Sequence, residues 1–334
     1  MKMRPFVAVV LLLSSLLAVA SAAGKKDRCH TGDKVALLAV KAAFGNQFPS
    51  WMNDTSCCEW YGVDCDPFTG RVMGLSFFQD ASLTGTIPDA IDGLTHLQNL
   101  MLHHLPAFSG PIPASLAKLT NLSFLTISYT GVSGPVPSFL GALTKLTFLD
   151  LSFNALSGAI PASIAGIASL SGINLSRNRL TGAIPPLLFS KDTGNDQVYL
   201  VLSHNNLTGG VPAGFAAVRF GHVDLSRNAL TGDASALFGV DKALEIVDLS
   251  RNAFNFNLSG VGLPERLGYM DVSHNAIYGG IPPQVANLTN LQQFNVSYNR
   301  LCGEVPTGGN MARFDAYNYQ HNKCLCGAPL PPCK

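Results

Sequence analysis

One phrase of this chain is written over and over. Residues 149–170 read LDLSFNALSGAIPASIAGIASL, and a near-copy, INLSRNRLTGAIPPLL, starts at Ile173. Aligned on Leu-x-Leu-x-x-Asn, seven asparagines fall into register: Asn154, Asn178, Asn205, Asn228, Asn252, Asn275 and Asn299, spaced by 24, 27, 23, 24, 23 and 24 residues. Earlier copies are looser. Thr130 takes the Asn place in one, and two more begin near Leu75 and Leu100, which gives about ten units between residues 72 and 306. A period of 20–29 residues means stacked supersecondary units, because one unit of that size cannot bury its own apolar side.

The pattern L-x-x-L-x-L-x-x-N-x-L is the leucine-rich repeat. Leu149 and Leu151 alternate with polar residues, as do Val223/Leu225, Val247/Leu249 and Met270/Val272, the signature of a short strand with one buried face. Each buried Leu or Ile stabilises the stack by roughly 1.5–3 kcal/mol. The strands are expected to line up as a parallel sheet inside a curved, right-handed α/β solenoid. The Asn column should hydrogen-bond inward at a sharp turn, since a carboxamide offers two donors and an acceptor. Leu-Ser/Thr-Gly-x-Ile/Val-Pro follows, with Gly158 and Gly182 suited to positive φ and Pro161 and Pro185 ending further pairing. Two units depart from this, at Thr231-Gly-Asp-Ala-Ser and at Asn255-Phe-Asn, so a second sheet should fade there. Lys191 to Gln197 reads as a surface loop.

Solenoid ends expose apolar edges and need lids. Asp33 to Phe44 reads as an amphipathic helix with Leu37, Leu38 and Val40 toward the first repeat. The eight cysteines form two clusters: Cys29, Cys57, Cys58 and Cys65 at one end, and Cys302, Cys324, Cys326 and Cys333 at the other. Kept within clusters, they allow nine pairings. The sequential one, 29–57, 58–65, 302–324 and 326–333, is expected because joining the neighbours Cys57 and Cys58 would strain the chain. Zinc sites favour nearby Cys-x-x-Cys pairs, and none occurs. The expected organisation is a signal peptide at 1–23, a cysteine-containing cap at 24–71, ten repeats at 72–306 and a second cap at 307–334. Lys2 and Arg4 precede an apolar run from Phe6 to Ala20 and then small residues, the layout of a cleaved secretory segment. That run is shorter than the ~20 residues of a membrane span. Secretion also suits the even cysteine count. Seven Asn-x-Ser/Thr sequons are glycosylation candidates: Asn53, Asn121, Asn174, Asn206, Asn257, Asn287 and Asn295.

Charged residues make up 13% of the chain and the net charge is +1, so no global field points to nucleic acid. No His-Glu-x-x-His, Gly-x-Ser-x-Gly or P-loop occurs. The adjacent His103 and His104 form the sole tempting metal pair, and no cofactor is expected. Asp224, Asp248 and Asp271 recur on successive strands and could mimic a carboxylate cluster. General acid–base work needs environments that pull pKa values apart, and three equivalent exposed places would not supply them. The expectation is therefore a binding protein.

Its binding face should be the concave one. In x-x-L-x-L-x-x, five places per strand face solvent, far more in sum than the 20–30 residues of a standard interface. The fourth place reads Asp150, Asn174, Val201, Asp224, Asp248, Asp271, Asn295, and the last reads Phe153, Arg177, His204, Arg227, Arg251, His274, Tyr298. One column is acidic, the other basic to aromatic. Places off the repeat consensus are the sharper candidates for partner contact: Val201, His204, His222, Tyr269, His274, Gln293, Tyr298, Tyr129, Phe148 and Phe153. Aromatics and Arg are favoured anchors.

The Leu-Thr/Ser-Gly-x-Ile-Pro element and Cys57-Cys58-Glu-Trp60-Tyr-Gly62-Val63-Asp-Cys65 resemble plant extracellular leucine-rich repeat proteins. With ten repeats, four cysteines at each end, a signal peptide and no kinase, the chain is similar to the polygalacturonase-inhibiting proteins in particular. That resemblance implies a secreted, cell-wall defence protein whose concave strands bind fungal or insect endo-polygalacturonases and slow pectin cleavage. It also implies a basic column that contacts pectin, which falls here on Arg177, Arg227 and Arg251, with His204 standing where a basic residue is expected. The sequons at Asn174 and Asn295 lie on that face. Two other readings suit the same fold: a non-inhibitory partner of a receptor ectodomain, and a structural pectin binder.

Overall fold

The computed structural model describes residues 29–189 and 197–334; the signal-peptide reading and most of the 191–197 loop lie outside them. Ten parallel strands stack in chain order along one wall: Val72–Phe78, Asn99–Gly110, Phe124–Pro135, Phe148–Asp150, Gly172–Asn174, Val198–Val201, Phe220–Asp224, Ile246–Asp248, Tyr269–Asp271 and Gln293–Asn295. Val63–Cys65 closes the first edge antiparallel to Val72–Phe78. This is the leucine-rich repeat solenoid. The alternation reads directly as burial. Leu125, Leu149, Ile173, Leu200, Val223 and Val247 are sealed between coils, and the residues flanking them are partly or fully open except Gly172 and Val201.

The asparagine column hydrogen-bonds inward, as expected. Nδ2 of Asn178 donates to the carbonyls of Leu151 (2.8 Å) and Leu175 (3.1 Å), while its Oδ1 accepts the N–H of Leu156 at 3.0 Å. Asn205, Asn228, Asn252, Asn275 and Asn299 repeat the pattern. Each therefore ties its own coil to the one before it, at a turn whose backbone groups are shut off from water. The column also runs one coil past residue 306. Asn322 donates to Val296 and Tyr319 and accepts from Leu301. Tyr319 fills the Leu place there, which hid this coil from the leucine pattern.

A second ladder runs beside the first, from the end of Phe124–Pro135 through Ala155–Ala159, Arg179–Ala183, Asn206–Gly209 and Ala229–Gly232 to the two-residue strand Ala253–Phe254. It breaks there, leaving the isolated bridge between Asn257 and Tyr278, and resumes as Tyr278–Gly279, Arg300–Glu304 and Cys324–Cys326. The break sits where the Gly-x-Ile-Pro element is missing, as expected. The prolines do more than stop pairing. Pro88, Pro113, Pro137, Pro161, Pro212 and Pro282 each stand, in extended conformation, as the residue that leads into a short 3₁₀ turn on the outer side, a backbone that their fixed φ allows.

Both ends are lidded. The helix Thr31–Ala43 buries Leu37 and Val40 and leaves Leu38 partly covered. Asp33, sealed from solvent, is held by Arg71 at 2.8 and 3.0 Å and by the N–H of Val72 at 2.8 Å. Phe48 stacks on Phe77, and Trp51 stacks on Trp60. Disulfides join Cys29 to Cys57, Cys58 to Cys65, Cys302 to Cys324 and Cys326 to Cys333. Among the described residues, no helix is long and apolar enough to cross a membrane.

Candidate functional site

The concave wall is built from the places that the fold leaves open. Strand register makes them continuous columns. The second place of each unit runs Gly74, Asn99, Phe124, Phe148, Gly172, Tyr199, His222, Ile246, Tyr269, Gln293. The ring of Phe148 leans over Gly172, where an added methyl would run into it, and comes within 6.0 Å of Tyr199, which in turn lies 4.5 Å from His222. Phe124, Tyr199 and Ile246 thus belong with the candidates. Composition alone hid them, because only register shows that they share a column with Phe148, His222, Tyr269 and Gln293.

In the fourth column Asp224, Asp248 and Asp271 pair in register on neighbouring strands. Each carboxylate accepts the N–H of the serine two residues on: Ser226 at 3.0 Å, Ser250 at 2.9 Å and Ser273 at 2.8 Å. Asp150, Asn174 and Asn295 make the same local turn. The serines are buried, so these acidic groups are fixed rather than free to swing away. The three aspartates are not equivalent exposed groups, as the sequence suggested. All three are half-buried, and for Asp248, between the other two, burial pushes the carboxyl up to about 6, against its bonds to Ser250 and with the Asp224 and Asp271 charges adding to the rise. The Tyr269 hydroxyl lies 3.5 Å from it, and burial followed by the Asp248 charge holds that phenol well above its usual range. Val201 is a correction: at 6% exposure it offers a partner almost nothing.

The seventh column turns the chain into the asparagine ladder, and every residue in it has positive φ: Phe153 (54°), Arg177 (54°), His204 (56°), Arg227 (53°), Arg251 (56°), His274 (55°) and Tyr298 (53°). Left-handed backbone costs an ordinary residue roughly 1–2 kcal/mol, so large side chains here are retained against backbone preference. They stack as a rail. Tyr129 lies on Phe153 at 3.7 Å, Arg177 sits over Phe153 at 4.9 Å, and Tyr298 stacks between His274 and His321 at 4.2 Å on each side. Arg177, Arg227 and Arg251 are exposed. His204 between them is held below the usual histidine range, first by burial and then by Arg177 and Arg227. His274 is lowered by burial and Arg251, and His222 by burial. The basic row is therefore interrupted at neutral pH.

Between the acidic and basic columns lies an open groove of about 490 Å³, floored by Ser203, Ser226 and Ser250. Its banks carry opposite charges, and it lacks the enclosure of a small-molecule pocket. Gln293 and Tyr298 are exposed at its far end. The sequons Asn53, Asn206, Asn257 and Asn287 are exposed, whereas Asn121, Asn174 and Asn295 are half-buried. Asn174 and Asn295 also hold Ser176 and Ser297 through Oδ1. Among the described residues, the sole group of metal-binding side chains dense enough for an ion is Cys29, Cys57 and Cys58, and all three are in disulfides. His103 is committed instead to Ser128 at 2.9 Å.

Comparison with known proteins agrees with this architecture. The leucine-rich repeat N-terminal domain family matches residues 30–66, and the leucine-rich repeat family matches 145–167, 169–190 and 198–217. A polygalacturonase inhibitor from Pyrus communis is 49% identical over 337 residues, covering 100% of this chain and 99% of the relative. Polygalacturonase inhibitor 2 of Arabidopsis thaliana is 50% identical over 97% of this chain and 98% of its own length. Among solved structures, a plant ice-binding protein superposes with a TM-score of 0.87 at 46% identity, covering 92% of this chain and 99% of that one.

Proposed function

Since this chain belongs to the polygalacturonase-inhibitor family of leucine-rich repeat proteins, we propose that it binds endo-polygalacturonases on its concave face and slows their cleavage of pectin, without chemistry of its own. The inhibitor acts by occlusion: it docks beside the enzyme's cleft and keeps the polysaccharide out. Its targets are the secreted enzymes of fungi or insects, its place is the plant cell wall, and its role is defence. Residues 1–23 serve as the signal peptide, 24–71 and 307–334 as the caps and 72–306 as the repeats.

The observation that carries this reading is the concave wall itself. It offers fixed acidic groups, a stacked basic and aromatic rail and a column of rings on one rigid sheet, over a length of more than ~40 Å at ~4.8 Å per strand. Such a surface suits a folded partner. The fold alone does not choose the partner, since a chain 46% identical is an ice-binding protein; the near-full-length likeness to two inhibitors is what favours an enzyme.

A reducing-end assay with a panel of fungal and insect endo-polygalacturonases tests the proposal. Reversible, stoichiometric inhibition of at least one member is expected. A panel that is neither inhibited nor bound contradicts it, and capture of a receptor ectodomain by the same face would favour the signalling reading. A second contact, with pectin, is favoured by the row Arg177, Arg227 and Arg251. Exposed guanidinium groups in line attract a polyanion, and salt weakens that attraction.

A further inference from the structure

We propose that the first end of the concave wall, centred on Phe78, Met101 and Phe124, is a separate apolar anchor for the same polygalacturonase that the charged groove holds, and that it takes an uncharged, apolar segment beside that enzyme's cleft. This rests on the inhibitor reading above and names a contact that reading does not require.

The repeat itself shows that these side chains are not demanded by the fold. Phe78 occupies the sixth place, where the later units carry buried serines such as Ser152, Ser176 and Ser203; Phe78 is 47% exposed. Met101 occupies the fourth place, which is Asp or Asn in most later units, and is 41% exposed. Phe124 occupies the second place and is 51% exposed. The opposite face of each strand fills the core with Leu75, Phe77, Leu100 and Leu125, so the three outward groups are surplus to folding.

Their surroundings match them. In the strands Val72–Phe78, Asn99–Gly110 and Phe124–Pro135, no outward place from the first leucine to the turn carries Asp, Glu, Lys or Arg, and one exposed carboxylate, Asp64 of the cap strand, borders this end over Gly74. Tyr61 of the cap extends the patch, with its ring 6.2 Å from Phe78. Together these side chains leave on the order of 400 Å² of mostly apolar surface open, the size of the largest apolar patch on a typical protein, which is often functional.

Continuity identifies the occupant. Phe124 pairs in register with Phe148, whose ring approaches Tyr199 across Gly172, and the same column continues past His222 and Ile246 to Tyr269 at the acidic bank. A folded partner spanning the groove meets the apolar end on the same sheet. Aromatic groups in such a place are the usual carriers of binding energy, and their contribution is insensitive to salt, unlike that of the groove.

The test uses side chains of the kind that the repeat carries at equivalent positions, so the variant keeps the fold: Phe78→Ser, Met101→Asn and Phe124→Gln combined, with Phe124→Gln alone as the milder version. Inhibition of a sensitive polygalacturonase is measured at about 50 mM and about 1 M NaCl, either side of the range over which surface charges are screened, beside wild type and Arg227→Gln, with thermal midpoints as the folding control. The triple variant is expected to lose at least about tenfold in inhibition at both salts and Phe124→Gln a smaller part of that, whereas the loss in Arg227→Gln shrinks at high salt. If wild type inhibits and the triple variant stays within about twofold, the anchor is refuted and the inhibitor reading stands. If sedimentation shows a wild-type dimer that the triple variant dissolves, the occupant is a second copy and the proposal is wrong. If wild type binds no polygalacturonase, both readings fall.

Discussion

The two ends of the concave wall share a backbone and differ in almost everything that faces outward. At the first end, the open places of the repeat strands hold Phe78, Met101, Phe124 and Tyr129 and no charged residue, with Asp64 of the cap strand at the border. From Phe148 onward the same places hold Asp150, Asp224, Asp248 and Asp271 on one side and Arg177, Arg227 and Arg251 on the other. Beneath both ends lie the same sealed leucines, and the asparagine ladder runs from Asn154 onward. A repeat protein can therefore change its chemistry along one surface without renegotiating its core, because each unit's stability comes from inward groups and nearest neighbours. The junction is Gly172, whose missing side chain lets Phe148 reach toward Tyr199.

The largest expected effect concerns the asparagine ladder, which frames the charged end and is tied by Asn154 to the last coil of the apolar end. Asn154→Ala near the apolar end and Asn252→Ala in the charged end should each lower unfolding stability by about 3 kcal/mol. Each removes donors to two carbonyls and an acceptor inside the turn, and stranded backbone groups cost ~1–3 kcal/mol apiece. Urea midpoints check this, and a loss at only one of the two positions would mean that the ladder does not act alike along its length. Next comes polyanion binding. Arg177, Arg227 and Arg251 together changed to Gln should reduce retention on polygalacturonate at about 50 mM NaCl by about tenfold or more, whereas Phe124→Gln should not change it; equal losses would erase the distinction between the ends.

The charged end should also respond to pH. The folded chain keeps a proton on Asp248 up to about pH 6, whereas the unfolded chain releases it near pH ~4. Stability from that group is present at low pH and is lost as pH rises from about 4 through 6. Asp248→Ser removes the titration, so its thermal midpoint should gain on wild type across that interval and hold the gain above it. Asp248→Asn is a poor choice, since it would complete a new sequon with Leu249 and Ser250. A gap that does not move with pH would show Asp248 to be an ordinary surface carboxylate. The smallest effect belongs to the junction. Gly172→Ala should displace the Phe148 ring at a cost of about 1 kcal/mol in stability, the low end for an added methyl because the ring is half-exposed and can move, and it is detectable as altered affinity for a polygalacturonase rather than as unfolding.

The fold was legible because its rules act within one repeat of about 24 residues. The Leu alternation, the Asn column and the turn prolines each carry a local physical meaning that repetition amplifies. Even the fading of the second sheet near Asn255 could be read from a missing Gly-x-Ile-Pro. The last coil was hidden because Tyr319 and Asn322 keep the geometry without the leucines. The site was half legible. The acidic and basic columns emerge once the heptads are aligned, but Val201 misleads, because position says where a side chain starts and not how far it stands from the sheet. Asp248 looks equivalent to its neighbours in the sequence because burial between strands leaves no trace there. Phe124, Tyr199 and Ile246 escape a reading along the chain because their company is set by register across strands.

The most direct test of the account is to block the wall. Asp224→Asn, made in a glycosylating host, completes a sequon with Leu225 and Ser226 and plants a glycan in the middle of the groove. The same variant enzymatically deglycosylated, or made in a host that adds no glycan, lacks the obstacle. Titrated against a polygalacturonase that wild type inhibits, the glycosylated form should lose inhibition while the unglycosylated form retains most of it. Full inhibition by a chain confirmed to carry a glycan at position 224 would mean that the enzyme docks elsewhere, and the concave wall would not be the binding face.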